Sequence, residues 1–494
     1  MRDARCEMRV AGQLPADTDH RSPVTGHRLP ITMRIAYLTA GAAGMYCGSC
    51  LHDNTLAAAL ARLGVDIQLI PTYTPIRTDE EDVSVDRVFF GGINVYLQQK
   101  LRLFRWLPPV LDRFLDQPWL LRRATARSTA IDPRFLGDLA VSMLRGEHGH
   151  QRKEVRRLCR HLASDVRPSL VVLTNMLIGG CIPELKRALA VPVLVTLQGD
   201  DAFLESLPEP HKTRAFEEIR RLVRDADGFL VHSRYYADFM AGYFGIPPDK
   251  LHIVPLGIDI RDFESSRRTP CAACQTRQLE NGEPENGTST DRPDRSQSCF
   301  PTRPPAVGYL ARLAPEKGLH VLVDAFLELR RMAGMDNVQL HIAGWLGEHH
   351  RPYAESQFAK LRSAGLSDAF QFIGEVDRRG KAEFLRTIDL MSVPATHREP
   401  KGLFVLESLA AGVPVVLPNH GAFPELIAST GGGCLTPPHD PNALAGAIAD
   451  LLRDEPRRRQ HAAAGRQAVL EHRHAEAMAR ATLEVFQVFA GAVR

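Results

Sequence analysis

Two short segments in the second half of the chain carry residue types able to hold an anion. In ARLAPEKGLH, Arg312 and Lys317 stand between a strand-like run, AVGYLAR from Ala306, and a helix that opens after Gly318 with Leu319, Leu322 and Phe326 as its apolar stripe. Open α/β sheets bind ligands outside the carboxyl ends of their strands, so both cations project into the expected crevice, where two fixed positive charges suit a diphosphate. On this segment alone, two solvated loop charges are an equally good reading. The second segment, PATHREPKGLFVLESLAAGVPVV, shifts the balance toward chemistry. Its loop carries Glu399, Lys401 and Gly402, and a helix then runs from Leu403 to the terminating Gly412 and Pro414. Gly402 lets a ligand approach the backbone, and the free amides of a helix start favour an anion. Glu407 lies about 1.5 turns into that helix, where a carboxylate can accept from two vicinal hydroxyls such as those of a ribose.

The elements that must position these residues follow a regular rhythm. Short β-branched runs alternate with helical patterns: RIAYLTA from Arg34, VDIQLIP from Val65, LVVLTN from Leu170, VPVLVTL from Val191, GFLVHS from Gly228 and LHIVPLG from Leu251. The second half repeats the pattern with AVGYLAR, VQLHIAG from Val338, FQFIGEV from Phe370, LMSVPA from Leu390 and VPVVLPN from Val413. The expected fold class is therefore α/β, with two doubly wound, Rossmann-like parallel sheets. Residues 1–32 lack periodicity and are expected to be a disordered extension, with Met33 a candidate start; the first domain is expected over 33–263 and the second over 305–454. Residues 264–304 hold too little apolar surface to offset ordering entropy and read as a disordered insertion. Residues 455–494, rich in Ala, Arg and Leu, predict a terminal helical segment.

Bulk properties set limits on function. The 61 basic and 58 acidic residues nearly cancel, which gives no case for a nucleic-acid partner. No apolar run is long enough to span a bilayer and none resembles a signal peptide, so a cytoplasmic location is expected. Nine cysteines, an odd number, argue against a complete disulfide framework. The pairs Cys47/Cys50 and Cys271/Cys274, with Cys299 beyond, raise zinc or redox chemistry, but neither pair has a second at the usual zinc spacing.

The combination Arg312-x4-Lys317-Gly318 with Glu399-Pro400-x-Gly402-Leu403-x3-Glu407 resembles the Glu-x7-Glu signature of retaining glycosyltransferases of family 4, which have the GT-B fold. The similarity extends from residue 306 to about 440, with weaker echoes over 33–260: the loop TAGAAG, VHSRYYADFM from Val231, and VPLGID ending at Asp259. The resemblance implies a hexosyltransferase whose two domains face each other across a cleft, using a nucleoside diphosphate sugar and no metal or other cofactor. The implied partners are that donor and a saccharide or lipid-linked acceptor bound by the first domain. Arg312 and Lys317 would stabilise the departing diphosphate, Glu407 would hold the ribose, and Glu399 with the backbone at Lys401, Gly402 and Leu403 would hold sugar and phosphate. The base would contact the loop at Gly374, Glu375 and Val376, and Gly44 would neighbour the donor phosphate. Preorganised cations aimed at charge developing on the leaving group would lower the barrier.

The sequence departs from the family pattern at three points. Many members carry His in the loop after the fourth strand, where this chain has Gln198, Gly199 and Asp200, so acid–base help there would fall to Asp200. Position 401, usually aromatic, is Lys, and the first Gly-rich loop continues into MYCGSC. His52, His232 and His397 lie near the expected cleft, and lone histidines are more often structural than catalytic. The GAAG loop is not a dinucleotide-binding fingerprint, which argues against NAD. Residues 100–127 interleave basic and bulky apolar residues. An insertion packing on the core is the leading reading, and a peripheral contact at the inner membrane face, toward a lipid-linked acceptor, is the alternative. Two rivals to an enzyme of this class are a nucleotide-sugar or glycan-binding protein without turnover, supported only by the altered Gln198 loop, and a glycoside hydrolase using Glu399 and Glu407. The hydrolase leaves Arg312 and Lys317 without a task. Deleting residues 266–302 is expected to leave folding and activity intact, which a thermal melt and a turnover assay on the shortened chain would check.

Overall fold

Runs that are apolar at every position, rather than every second one, bury both faces of a strand and select parallel sheets covered on both sides by helices. The computed structural model describes residues 33–41, 47–90, 95, 98, 99, 133–264 and 303–491. The first lobe holds β1 (Arg34–Thr39), β2 (Asp66–Pro71), β3 (Leu170–Leu173), β4 (Val193–Thr196), β5 (Gly228–Val231) and β6 (Leu251–Ile253). They form one sheet in the order β2-β1-β3-β4-β5-β6, and each neighbouring pair is parallel. The second lobe holds β7 (Ala306–Leu310), β8 (Gln339–Ala343), β9 (Phe370–Gly374), β10 (Leu390–Met391), β11 (Val415–Pro418) and β12 (Gly433–Thr436), again all parallel, in the order β12-β11-β10-β7-β8-β9. Both lobes belong to one compact unit, Met33–Arg494.

Every strand expected from the sequence is present, and β12 adds one that the sequence does not announce, because its run GCLT follows two further glycines and has no apolar alternation. Gly44, residues 1–32 and 100–127, and all but the ends of 264–304 lie outside the described residues. Among the described residues no helix is long and apolar enough to cross a membrane.

The helices that build the site are α1 (Gly48–Arg62), α2 (Asp200–Glu205), α3 (Leu319–Leu329), α4 (Arg378–Arg386) and α5 (Leu403–Ala410), and the chain closes with α6 (Glu455–His472) and α7 (Ala475–Gly491). The order of the second sheet reverses between β7 and β10, and that of the first between β1 and β3. Such switch points open a crevice beyond the strand ends. Arg312 and Lys317 follow β7, and Glu399 follows β10, so the second-lobe candidates leave the two strands that flank one crevice.

The terminal helical segment does not stay with the second lobe. After α6 the chain returns to the first lobe: Ile258 N donates to the Arg473 carbonyl at 3.0 Å and Ala475 N to the Ile258 carbonyl at 2.8 Å. Arg62 of α1 then pairs with Glu476 at 2.8 Å, and Phe489 meets His252 edge-on with ring centroids 5.3 Å apart. Phe486 is fully buried in the core that α7 shares with β1 and α1. Phe486→Ala should therefore cost about 3–5 kcal/mol of stability, as large-to-small changes at closed core sites do, measured by urea unfolding.

Candidate functional site

The turn after β7 is fixed from below. The Tyr309 hydroxyl, buried with its ring, lies 3.0 Å from the Arg312 carbonyl oxygen and 3.4 Å from that of Lys317, holding both ends of the turn. Gly318 has φ +73°, and a Cβ there would stand 1.8 Å from the Pro394 carbonyl oxygen, so only glycine permits the loops after β7 and β10 to touch. That contact brings Lys317 Nζ to 2.6 Å from Glu399 Oε2. Arg312 is anchored more loosely, with Nη2 3.1 Å from Glu316 Oε1 and a side chain 41% exposed. Glu399 is buried, which alone would raise its pKa, yet Lys317, His397 and Lys401 together pull it down to about 2. His397 Nε2 lies 3.7 Å from the same carboxylate.

Gly402, with φ +78°, ends this loop and caps α5, whose first residues Leu403 and Phe404 face the cavity. One turn further, Glu407 is buried and its Oε1 accepts from Lys381 Nζ of α4 at 2.5 Å. Lys381 also meets Asp79 Oδ2 of the first lobe at 2.8 Å. Burial raises the pKa of Glu407, and Asp79 adds to that, while Lys381 opposes it. These groups line a cavity of about 410 Å³ between the lobes, together with Cys47, Ser49, Arg77, Gln198, Asp201 and Lys401.

The wall from the first lobe is a chain of buried hydrogen bonds. Asp53 of α1 is fully buried and accepts from Tyr37 at 3.0 Å, Thr39 at 2.7 Å, Thr174 at 2.5 Å and Gln198 Nε2 at 2.8 Å. Burial acts to raise its pKa, but the His52 ring 3.1 Å away and the hydroxyls outweigh it, so the carboxyl stays ionised. The other end of the Gln198 amide, Oε1, accepts from Lys401 Nζ at 2.8 Å, and Ser49 Oγ lies 3.4 Å from the same ammonium. Lys401 is thus a second-lobe side chain buried in the first-lobe wall, and that burial lowers its pKa. Two of the three departures from the family pattern, Gln198 and Lys401, meet each other.

Arg312, Lys317, Glu399, Lys401, Leu403 and Glu407 share the cavity as expected, and Gly402 sits in the loop that shapes it. Two expectations need correction. Asp200 does not face the cavity: its carboxylate turns inward and accepts from Met176 N at 2.6 Å and Gln198 N at 3.2 Å. Its neighbour Asp201, oriented by the Tyr236 hydroxyl at 2.7 Å, lines the cavity instead. Gly374, Glu375 and Val376 are not in the lining either. Val376 packs against the core, and Glu375 reaches the site only through Arg77, 3.4 Å away. His52 and His232 lie against each other with centroids 4.4 Å apart and ring planes tilted by 58°, buried behind the wall in keeping with a structural role.

Comparison with known proteins places this architecture. The model of the glycosyl transferases group 1 matches residues 291–468, and that of the glycosyl transferase 4-like domain matches residues 54–257, so the two lobes are matched in turn. The chain belongs to the family 4 glycosyltransferases. Among similar proteins, a D-inositol 3-phosphate glycosyltransferase of Xylanimonas cellulosilytica is 30% identical over 53% of this chain and 57% of its own length. A phosphatidyl-myo-inositol mannosyltransferase of Mycobacterium leprae is 35% identical over 31% of this chain and 39% of its own. The chain thus spans only 57% and 39% of these two relatives. The sucrose-phosphate synthase of Thermosynechococcus elongatus superposes with a TM-score of 0.64 at 19% identity, covering 93% of this chain and all of that one. Anabaena HepE in complex with UDP gives 0.59 at 16% identity, over 92% and 100%. These superpositions establish the GT-B fold of this family 4 member.

Its Lys317–Glu399 pair gives a signed pH dependence. A carboxyl held near 2 contributes stability that is complete above its ordinary value of 4.5 and is lost as pH falls through that window. Urea unfolding of wild type and Glu399→Gln should show the wild-type advantage narrowing below about pH 4.5. A difference that does not change with pH would contradict the pairing.

Proposed function

We propose that this protein is a retaining hexosyltransferase that takes its sugar from a nucleoside diphosphate donor. The observation that carries this reading is the convergence, in one crevice beyond a switch point, of Arg312, Lys317 and Lys401 with the N-terminus of α5 and the carboxylates Glu399 and Glu407. In this reading the diphosphate lies against the three cations and the helix start, the ribose hydroxyls donate to Glu407, and the hexose hydroxyls donate to Glu399. Relatives at 28–35% identity, among them a GDP-mannose-dependent mannosyltransferase of Mycobacterium tuberculosis, support a sugar-nucleotide donor and a polyhydroxylated, saccharide or lipid-linked acceptor.

The electrostatics favour retention. Held at about 2 by its lysine, Glu399 is too weak a base to take a proton from an acceptor hydroxyl, but remains a strong hydrogen-bond acceptor. As the bond from the sugar's anomeric carbon to the diphosphate breaks, negative charge gathers on the leaving oxygen. That oxygen becomes the base nearest the sugar on the same face, and it takes the proton of the acceptor hydroxyl as the new bond forms. Arg312 and Lys317 stabilise the charge without reorganisation. Asp201, rather than Asp200, is the carboxylate placed to orient the acceptor. In this reading side chains meet the charge, so no metal is required.

Arg312→Ala and Lys317→Ala should each lower turnover about 100- to 1,000-fold. Circular dichroism should show Arg312→Ala folded, since that side chain is half exposed. Wild-type turnover should persist in EDTA, and NMR of the first product should show the donor's anomeric configuration. Saturable nucleotide binding without release of nucleoside diphosphate would favour a binding protein instead.

A further inference from the structure

The motif MYCGSC leaves two thiols that the proposed transfer reaction does not use. Cys47 caps the N-terminus of α1, a helix of 15 residues, and lines the interlobe cavity; Cys50 sits one turn on and is 2% exposed. Cys47 stands at the N-cap position with an extended backbone (φ −124°, ψ 126°), outside the regular helix, and its sulfur accepts the hydrogen bond of the Cys50 thiol, so the two sulfurs already face each other. Lys401 brings its ammonium to the same first turn, 3.4 Å from Ser49 Oγ. Both thiols are free, and among the described residues no group of three His, Cys, Asp or Glu is placed to hold a metal, which directs the pair toward thiol chemistry.

We propose that Cys47 and Cys50 form a redox-active dithiol in the cavity wall, with Cys47 as the attacking sulfur and Cys50 as the resolving one. Three features of the site favour the anion at Cys47: the hydrogen bond from the Cys50 thiol, the backbone amides of Cys50 and Ser49, and the Lys401 ammonium. Together they outweigh burial and lower its pKa, while the same shared proton and burial raise that of Cys50. The oxidant is a small disulfide such as oxidised glutathione. The Cys47 thiolate attacks one of its sulfurs, the disulfide bond breaks, and one glutathione leaves as thiolate while a mixed disulfide forms at Cys47. Cys50 then attacks the Cys47 sulfur and expels the second glutathione, which takes up the Cys50 proton. One thiolate and one thiol of the protein thus become a disulfide, and the small disulfide becomes one thiolate and one thiol.

The bond changes the charge of the cavity. Around Cys47 stand Cys50 and Ser49 from its own helix and Lys401 from the facing loop, and Lys401 in turn has His52, Asp53, Glu399 and Lys317 about it. When reduced, Cys47 offers Lys401 a fixed anion that competes with a bound diphosphate; when oxidised, it does not. Resting on the nucleotide-sugar reading, the oxidised protein should bind nucleoside diphosphate about tenfold more tightly, the order expected for removing one partly screened unit charge.

The full-length chain, equilibrated in glutathione buffers from reducing to oxidising and mapped by peptide mass, tests the dithiol. The expected result is a Cys47–Cys50 disulfide in wild type, one persistent glutathione on Cys47 in Cys50→Ser, and an unmodified Cys50 in Cys47→Ser. No Cys47–Cys50 bond at the oxidising limit in wild type overturns the proposal, whether or not the variants fold. Calorimetry with UDP and with GDP in both redox states tests the coupling: equal affinity in the two states overturns it. Absence of binding in either state strikes the nucleotide reading instead, while the mapped disulfide still decides the dithiol.

Discussion

Lys317 and Glu399 leave the two strands that flank the switch point of the second sheet, and their 2.6 Å ion pair ties together the loops that floor the cavity. A carboxylate this deeply buried would cost several kcal/mol if left unpaired, so neither loop can hold its conformation without the other. The pairing in turn needs the left-handed turn at Gly318, because any side chain there would push the Pro394 carbonyl, and with it Glu399, away. Gly402 and the start of α5 follow directly from the same loop, so the position of Glu407 is set by this contact as well.

Across the cleft the lobes meet through charges. One line runs from buried Asp53 through the Gln198 amide to Lys401; another runs from Asp79 through Lys381 to Glu407. Contacts of this kind contribute little net stability but tolerate few alternative alignments, since a shifted lobe would leave a buried charge unmatched. The cavity therefore has a shape that these charges help to define, beside an apolar core that continues from one lobe to the other. Each lysine in these lines also faces the space where an anionic donor would lie, so alignment of the lobes and binding of the ligand draw on the same groups.

The parts legible in sequence were those encoded by local spacing. Arg312 and Lys317 straddle a strand–turn–helix junction, and Glu399, Gly402 and Glu407 fall within nine residues, so their proximity follows from chain geometry. What escaped depends on contacts between distant segments or on the rotation of a single residue. Lys381 and Asp79 gain their meaning only from Glu407, and Tyr309 reads as core until its hydroxyl is seen on the turn. Asp200 and Asp201 are adjacent at a helix start, where a rotation of about 100° per residue decides which one faces solvent, and spacing cannot choose between them. The loop Gly374–Val376 follows the expected strand, yet β9 lies at the edge of its sheet, two strands from the switch point.

The return of α7 to the first lobe links β1 and α1 to an element far along the chain. Phe486 and Phe489 complete a core begun by β1 and α1, so a nascent chain that has made only its first half still exposes an apolar face awaiting residues nearly 450 positions downstream. Synthesis that ordinarily lets an amino-terminal domain settle before its successor emerges does not permit that here. The two halves are separate in their sheets but joined in their assembly, and severing the gene between them would give neither half a finished surface.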